Sequence, residues 1–412
     1  MSSMKSKYWS CVAAAVFFTA ATSLAQAAED TGPIKIGVLA DMSGTTMDMS
    51  GPGSVVAAKM AVEDFGGSVL GRPIEILSGD HQLKPDIGSQ LAKRWYDTEN
   101  VQLIVSVPAS SVGLAVQFAS RERRKLMITT GTITSDFTGK YCSPYAMQWL
   151  FNTNALANGT VKTLVNEGRK SWHFLTADYA FGLALERDAA KIVTDGGGKV
   201  VGRIRHPFNA TDLTSFVVSA LASDADVIAL ANGPPDNTNA MKAITEFGGL
   251  KPNSVLAGLF VAISDIHGAG LKATQGLLLT EGFYWDMDER SRAWSKRFFE
   301  KTGKMPTAVQ AGDYSSVLHY LKAVKRAGTT DADKVAEAMR AIPVDDAFAR
   351  NGTLRKSGLM VHDLVLAKVK KPEQSKGPWD YYDVVHTIKG EMAFPSEESE
   401  GCPLVAVSET KK

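Results

Sequence analysis

The stretch Ile34-Lys35-Ile36-Gly37-Val38-Leu39-Ala40, broken at Ser43-Gly44 and followed by helical spacing from Gly53 to Phe65, decides the fold. A short, β-branched, nearly continuous apolar run reads as a strand buried on both faces, and the helix that follows makes it the opening of a βαβ unit. The same grammar repeats: strand Ile74–Leu77 with helix Asp86–Thr98, strand Leu103–Val107 with helix Ser111–Arg123, then strand Leu126–Thr129. Alternation of this kind builds a parallel sheet covered by helices on both faces.

After Thr130–Pro144, rich in Thr, Ser and Gly, the pattern starts afresh. Helix Leu156–Glu167 leads to strand Trp172–Leu175 and helix Gly182–Thr194, which Gly196-Gly197-Gly198 stops. Strand Lys199–Ile204, helix Leu213–Leu221, strand Val227–Ala231, helix Thr238–Phe247 and the strands Ser254–Ala257 and Gly276–Thr280 continue it. Arg290–Lys301, Tyr314–Ala327 and Asp333–Ala341 read as successive helices, which cannot form a sheet and are expected to pack back on the first one. Strand-like runs at Val361–Val369 and Tyr381–Ile388 complete the second lobe. The reading is an α/β protein of two Rossmann-like lobes with parallel sheets, joined by a hinge the chain crosses more than once. Residues 32–148 with 283–345 form the first lobe, and 149–282 with 346–412 the second.

A chain of 412 residues with 44% hydrophobic and 22% charged residues is too long for one ordinary domain and too apolar for disorder. Its formal charge of +1 gives no global field toward nucleic acid or an anionic membrane. Residues 1–28 read as a cleaved export signal: Lys5 and Lys7 precede the apolar run Cys11–Ala21, and Ala25-Gln26-Ala27 offers the small-x-small site. The run is shorter than the roughly 20 residues that span a bilayer, so a periplasmic protein is expected. Removing the signal leaves Cys142 and Cys402, an even pair in an oxidising compartment, for which a disulfide is predicted.

Catalytic signatures are missing. The loop Asp41–Gly53 lacks G-x-G-x-x-G spacing, and there is no phosphate loop, nucleophile elbow or H-E-x-x-H helix. The seven His residues lie on different elements without i, i+4 pairs, and Asp286-Met287-Asp288-Glu289 lacks the Gly turn and distal Glu of a calcium loop. Those acids are assigned to the dipole of the helix that follows. No enzyme activity, metal or cofactor is called for.

With two α/β lobes, an export signal and no catalytic motif, the chain resembles the periplasmic solute-binding proteins of the branched-chain amino acid transporter family, the leucine-binding-protein-like type I periplasmic binding proteins. The resemblance covers nearly the whole mature chain. It rests on Ile34-Lys35-Ile36-Gly37 with Met42-Ser43-Gly44, Gly71-Arg72-Pro73-Ile74, Ala109-Ser110-Ser111, the loop Thr129–Thr138 and Asp178-Tyr179-Ala180-Phe181-Gly182. It implies capture of a small ligand by closure of two lobes, then docking on the membrane permease subunits of an ABC importer, the binding protein being a monomer.

Open parallel sheets bind ligands beyond the carboxyl ends of their strands, where these loops lie. By resemblance, Ala109, Ser110 and Ser111 present donors to a ligand carboxylate, and a helix N-terminus suits an anion. Thr130, Gly131, Thr132, Ile133 and Thr134 supply further donors, with Met49 in the loop after the first strand. In the second lobe Phe181 stands where the family covers its ligand with an aromatic ring, Gly233, beside Asn232, replaces a second aromatic, and Asp178 and Tyr179 are placed to bond a ring hydroxyl. Phe260 falls near the family's acidic partner of the ligand ammonium. A buried ammonium left without a counter-charge is costly, so the expected ligand is an aromatic or apolar organic acid lacking the amine, walled by Phe181 and Phe260, with Phe283, Tyr284 and Trp285 either joining that wall or packing a lobe crossing. The alternatives are a branched-chain or other amino acid binder, and a ligand sensor that docks on a membrane receptor.

Overall fold

The computed structural model describes Met1 and residues 32–405; apart from Met1, the export signal expected over residues 1–28 lies outside the described residues. The first lobe runs β1 (Ile34–Ala40), α1 (Gly51–Phe65), β2 (Ser68–Val69), β3 (Arg72–Asp80), α2 (Pro85–Asp97), β4 (Val101–Ser106), α3 (Ser110–Arg123), β5 (Leu126–Thr129) and β6 (Ala146–Gln148). Its six-stranded sheet has the order β2-β3-β1-β4-β5-β6. Ile36 lies opposite Ile76 on one side and Leu103 on the other. Ile34, Ile36, Val38, Leu39 and Ala40 are fully buried, which is why the run shows no alternation.

The second lobe opens with α4 (Thr153–Leu156) and α5 (Lys162–Asn166), separated by a π-helical turn at Ala157–Val161. The spacing predicts one continuous helix there. It then runs β7 (Ser171–Ala177), α6 (Ala180–Asp195), β8 (Lys199–His206), α7 (Thr214–Leu221), β9 (Val227–Ala231), α8 (Asp236–Glu246), β10 (Val255–Gly258), α9 (Ile263–Ala269), α10 (Leu271–Thr274) and β11 (Leu278–Glu281). Next come α11 (Glu289–Thr302), α12 (Ala308–Ala327) and α13 (Ala332–Ala341), of which α12 packs on α1 and β4 of the first lobe. The acidic run before α11 is a cap: the Asp288 carboxylate accepts from the Ser291 N–H at 2.8 Å and pairs with Arg350 at 2.6 Å.

The tail forms the short pair β12 (Thr353–Leu354) and β13 (Met360–Val361), then β14 (Leu364–Val369) and β15 (Tyr382–Ile388). The last two extend the second, seven-stranded sheet, β15-β14-β11-β10-β9-β7-β8, in antiparallel sense. Both sheets are therefore mostly, not wholly, parallel.

The chain crosses between the two sheets near residues 149–152, 282–288 and 362–363, and returns to the first lobe after β15, where Cys402 meets Cys142. The first and third crossings are tied by His362, whose Nε2 donates to the Leu150 carbonyl at 2.5 Å. Beside them the Gln148 N–H donates to the Gly358 carbonyl at 2.8 Å. Part of the segment 346–412, assigned from sequence to the second lobe, thus lies against the first, because β6 leaves an open edge that Leu359 bridges.

Cys402 departs from that assignment as well, being bonded to Cys142 with a Cα separation of 5.6 Å and closing a sequence separation of 260. Replacing both cysteines by serine is expected to lower the unfolding free energy by about 3 kcal/mol, since the bridge restricts the unfolded chain. Denaturant titration checks this, and a midpoint indifferent to reductant contradicts it.

Candidate functional site

The carboxyl ends of β1, β4 and β5 in one sheet and of β7, β8, β9 and β10 in the other face one crevice, and hydrogen bonds of the loops shape its first wall. After β1, the buried Asp41 carboxylate accepts from the Gly44 N–H, the Thr46 N–H and the Thr46 hydroxyl, each at 2.9 Å. Asp80 accepts from the Met42 N–H at 3.2 Å and the Ser43 hydroxyl at 2.8 Å. The far end of this loop is clamped by α12, as Thr307 Oγ1 donates to the Met49 carbonyl at 2.6 Å and Gln310 Nε2 to the Ser50 carbonyl at 3.2 Å. Thr46 and Met49 are thereby held in the crevice lining.

After β4 the backbone is strained. Ser106, Val107 and Ala109 have φ of 81°, 49° and 69°, a region that side-chain-bearing residues enter at a cost of about 1–3 kcal/mol each and that clusters at functional sites. Ala109 is the N-cap of α3. The Ser110 hydroxyl accepts from the Ile133 N–H at 3.3 Å and the Thr134 N–H at 3.1 Å, which leaves its own proton for another acceptor. Close packing of α3 on the loop after β5 requires glycine at 113, where a Cβ would lie 1.7 Å from Thr132 Oγ1. Ala109, Ser110, Gly131 and Ile133 line the crevice from this side.

The threonine hydroxyls of that loop face elsewhere. Thr132 donates to the Val107 carbonyl at 2.7 Å, and Thr134 Oγ1 accepts from the Asp136 N–H at 3.3 Å. Thr130 donates to Asp313 at 2.7 Å, a carboxyl that burial pushes up to about 7 against the opposing hydrogen bonds of Ser54, Thr130 and Ser106. Thr130, Thr132 and Thr134 support the wall without lining it, and Ser111 lies one residue behind it.

The second lobe contributes rings. Tyr179 stacks on Phe208 with centroids 4.1 Å apart, Tyr179 meets Phe181 edge-on at 5.9 Å, and Phe181 meets Phe260 edge-on at 5.4 Å. Gly233 opens the floor among them: a Cβ there would sit 3.3 Å from Tyr179 Oη, 3.8 Å from Phe181 and 3.9 Å from Phe260. Pro234 completes the lining. Asp178 is exposed beside the crevice. Asn232 is fully buried behind it, its Oδ1 facing His206 Nε2 at 3.0 Å.

Tyr284 is outside the lining. It packs on Tyr382 at 5.0 Å and donates to the Trp379 carbonyl, while Phe283 packs on Trp294 and Phe348. That cluster packs at a lobe crossing.

The sequence reading missed Thr46, Phe208, Pro234 and the Thr307–Gln310 clamp. The clamp carries a signal, since Thr307-Ala308-Val309-Gln310 has capping-box spacing. Phe208 carries one too, as an aromatic directly after the β8 strand end.

Among the described residues, the Tyr179 phenol is the one ionisable side chain that lines the crevice. The nearby Asp236 is spent on the Asn209 and Ala210 N–H groups at 3.1 and 2.9 Å. The space between the walls is about 20 Å³, room for little more than a water, so a ring-sized ligand enters only when the walls part. On the rim the lobes meet through Asp188 of α6, whose Oδ2 accepts from the Ser135 hydroxyl at 2.7 Å and from Thr153 at 2.5 Å.

Two α/β lobes with a crevice between opposed strand ends define a type I binding-protein fold. The family model described as periplasmic binding protein matches residues 33–377, and the chain belongs to that family. A periplasmic binding protein from Burkholderia mallei is 46% identical, covering 90% of this chain and 99% of that one with a TM-score of 0.88. A branched chain amino acid ABC transporter periplasmic ligand-binding protein from Burkholderia xenovorans is 38% identical over the same shares, with a TM-score of 0.82. An ABC transporter solute binding protein from R. palustris, solved with benzoate, is 19% identical, covers 87% of this chain and 97% of that one, and has a TM-score of 0.78. A curated Leu/Ile/Val-binding protein homolog from Brucella suis is 23% identical over 58% of this chain, and the match spans 62% of that relative's length.

Proposed function

We propose that this protein is the exported solute-binding component of an ABC importer and that it captures a small carboxylate with an aromatic or apolar body rather than an α-amino acid. The observation that carries the reading is the lining itself: rings of Tyr179, Phe181, Phe208 and Phe260 on one wall, the α3 N-terminus on the other, and no carboxylate to meet an ammonium. Aromatic walls suit a flat apolar body through edge and face contacts. The helix N-terminus and the free proton of Ser110 suit a carboxylate. The benzoate held by the R. palustris neighbour is consistent with this chemistry.

Function consists of binding without bond making. The ligand rests on one lobe when the crevice is open, and contacts from the other lobe exist only when it is closed. Its differential affinity therefore shifts the population toward closure, in which Asp188 of the second lobe meets Ser135 of the first. The closed form then docks on permease subunits in the membrane. The lobe division that serves this motion follows the two sheets, with α11–α13 moving with the first.

Calorimetry separates the ligand classes. Benzoate-type or cinnamate-type acids are expected to bind with micromolar or tighter dissociation constants, and leucine at least about a hundredfold more weakly, a difference of roughly 3 kcal/mol. Micromolar leucine binding overturns the substrate class and leaves the branched-chain amino acid reading in its place.

A further inference from the structure

We infer that the interlobe cleft holds a second ligand site, a chamber for a flat apolar monoanion of aryl carboxylate or aryl sulfonate chemistry, backed against the crevice by the loop that carries Thr46 and Met49. The cavity measures about 380 Å³, within the range of small-molecule sites and far larger than the crevice. One wall comes from the first lobe, through Val56 of α1 and Phe298 of α11; the other comes from the second, through His267 and Gly268 of α9 and Trp379 ahead of β15. A molecule seated there touches both lobes.

The second wall is built with care that packing alone does not require. Trp379 has φ of +72°, a conformation a bulky side chain adopts only where its surroundings impose it, and one that marks functional sites. The surroundings are explicit. The Trp379 carbonyl accepts from Trp285 Nε1 at 2.7 Å, and the next residue, Asp380, accepts from Lys370 Nζ at 2.5 Å and from the Lys376 N–H at 2.8 Å. The indole lies parallel to the His267 ring, with centroids 4.0 Å apart and planes at 3°, and His267 Nδ1 is fixed on Tyr381 Oη at 2.7 Å. The result is a rigid ring pair presented to the chamber, with Phe298 and Met305 across from it.

Charge sets the sign of the ligand. Lys301 and Lys304 line the chamber against a single carboxylate, Asp48. Lys304 pairs with Asp48 at 2.6 Å, whereas the partner of Lys301, Glu63 at 3.2 Å, lies outside the lining. Both ammonium groups have carboxylate partners, but the pairs are exposed and therefore weak, and Lys301 can exchange Glu63, which is outside the lining, for an anion inside it. Because the chamber closes from both lobes, its occupant favours the shut form and is coupled to crevice binding.

The test is a fluorescence titration of the intact protein with 1-anilinonaphthalene-8-sulfonate. Saturable binding is expected in the parent. Gly268→Leu, at a position where a Cβ meets nothing within 4 Å, fills the chamber without strain and is expected to weaken the probe at least about tenfold. Lys301→Gln with Lys304→Gln is expected to weaken it roughly fivefold and flatten its salt dependence. Probe titration of the parent and calorimetry of the parent with benzoate read the chamber and the crevice separately, so failure here and failure of the crevice reading are distinguishable. Probe affinity unchanged in both the Gly268→Leu and the double lysine variants, or no saturable binding up to roughly 1 mM, overturns the second site.

Discussion

In the Gly233→Phe variant, binding of the benzoate-type or cinnamate-type acid that the parent takes up falls at least about a hundredfold, roughly 3 kcal/mol, while circular dichroism reports an intact fold. The effect follows from space. Gly233 is the one gap in a floor of rings, with Tyr179 Oη, Phe181 and Phe260 all within 3.9 Å of where a Cβ would begin, and the closed crevice has about 20 Å³ to spare. A phenyl group there holds the lobes apart. Each lobe keeps its own sheet and helices, so the cost falls on closure, and small-angle scattering should show a form no longer compacted by ligand. Gly233→Ala adds only the Cβ, which a small shift of the Tyr179 hydroxyl accommodates, and should cost less than about fivefold. Parent-like affinity in Gly233→Phe would move the site out of this crevice.

A second large effect concerns pH. Burial raises the Glu281 carboxyl to about 8 and the Asp265 carboxyl to about 7. Asp265 adds to the rise at Glu281, and Asp236 to that at Asp265; the N–H groups of Gly282 and Ala262 oppose it at the two sites. The buried Tyr382 hydroxyl lies in the field of Glu281 and Asp265. The folded protein therefore keeps protons that the unfolded chain releases near the ordinary carboxyl range. Where the native state binds more protons, stability falls as pH rises. For Glu281 that window runs from about 4.5 to about 8, with a slope on the order of 1 kcal/mol per pH unit.

Glu281→Gln keeps the acceptor for the Gly282 N–H, bonded at 2.9 Å in the parent, and removes the titration. Relative to the parent, its stability should rise by about 4 kcal/mol between pH 5 and pH 9. Denaturant titrations at pH 5, 7 and 9 decide the matter, and parallel parent and variant curves contradict it.

The layout of the site was legible because it follows from strand order. The apolar run Ile34–Ala40 fixes a buried strand, every strand end of a parallel sheet points to the same edge, and residues just past those ends, Ala109, Ser110, Gly131, Tyr179, Phe181, Gly233 and Phe260, reach the crevice for that reason. The cysteine pair was legible from compartment and parity. Which way a hydroxyl points was not. Thr130, Thr132 and Thr134 look alike in sequence, yet their partners are Asp313, 183 residues away, the Val107 carbonyl and the Asp136 N–H.

Tyr284 lies outside the crevice lining, and its side chain could not be placed from sequence because an aromatic triplet after a strand fits a ligand wall and a lobe crossing equally well. The π-helical turn at Ala157–Val161 leaves helical periodicity nearly intact and carries no mark in the sequence. The capping-box spacing of Thr307–Gln310 marks a helix start, but the loop it clamps lies about 260 residues earlier, a pairing no local pattern specifies.

The knot of His362 on Leu150 gives the molecule the mechanics of a door hung on several pins. Links that run side by side between two rigid panels resist twisting and sliding, so the closure proposed above would swing about a single axis. Grip on the solute can then be adjusted at the pins, by substitutions far from any atom of the cargo, because whatever biases the door toward ajar or shut rescales apparent affinity by that same factor.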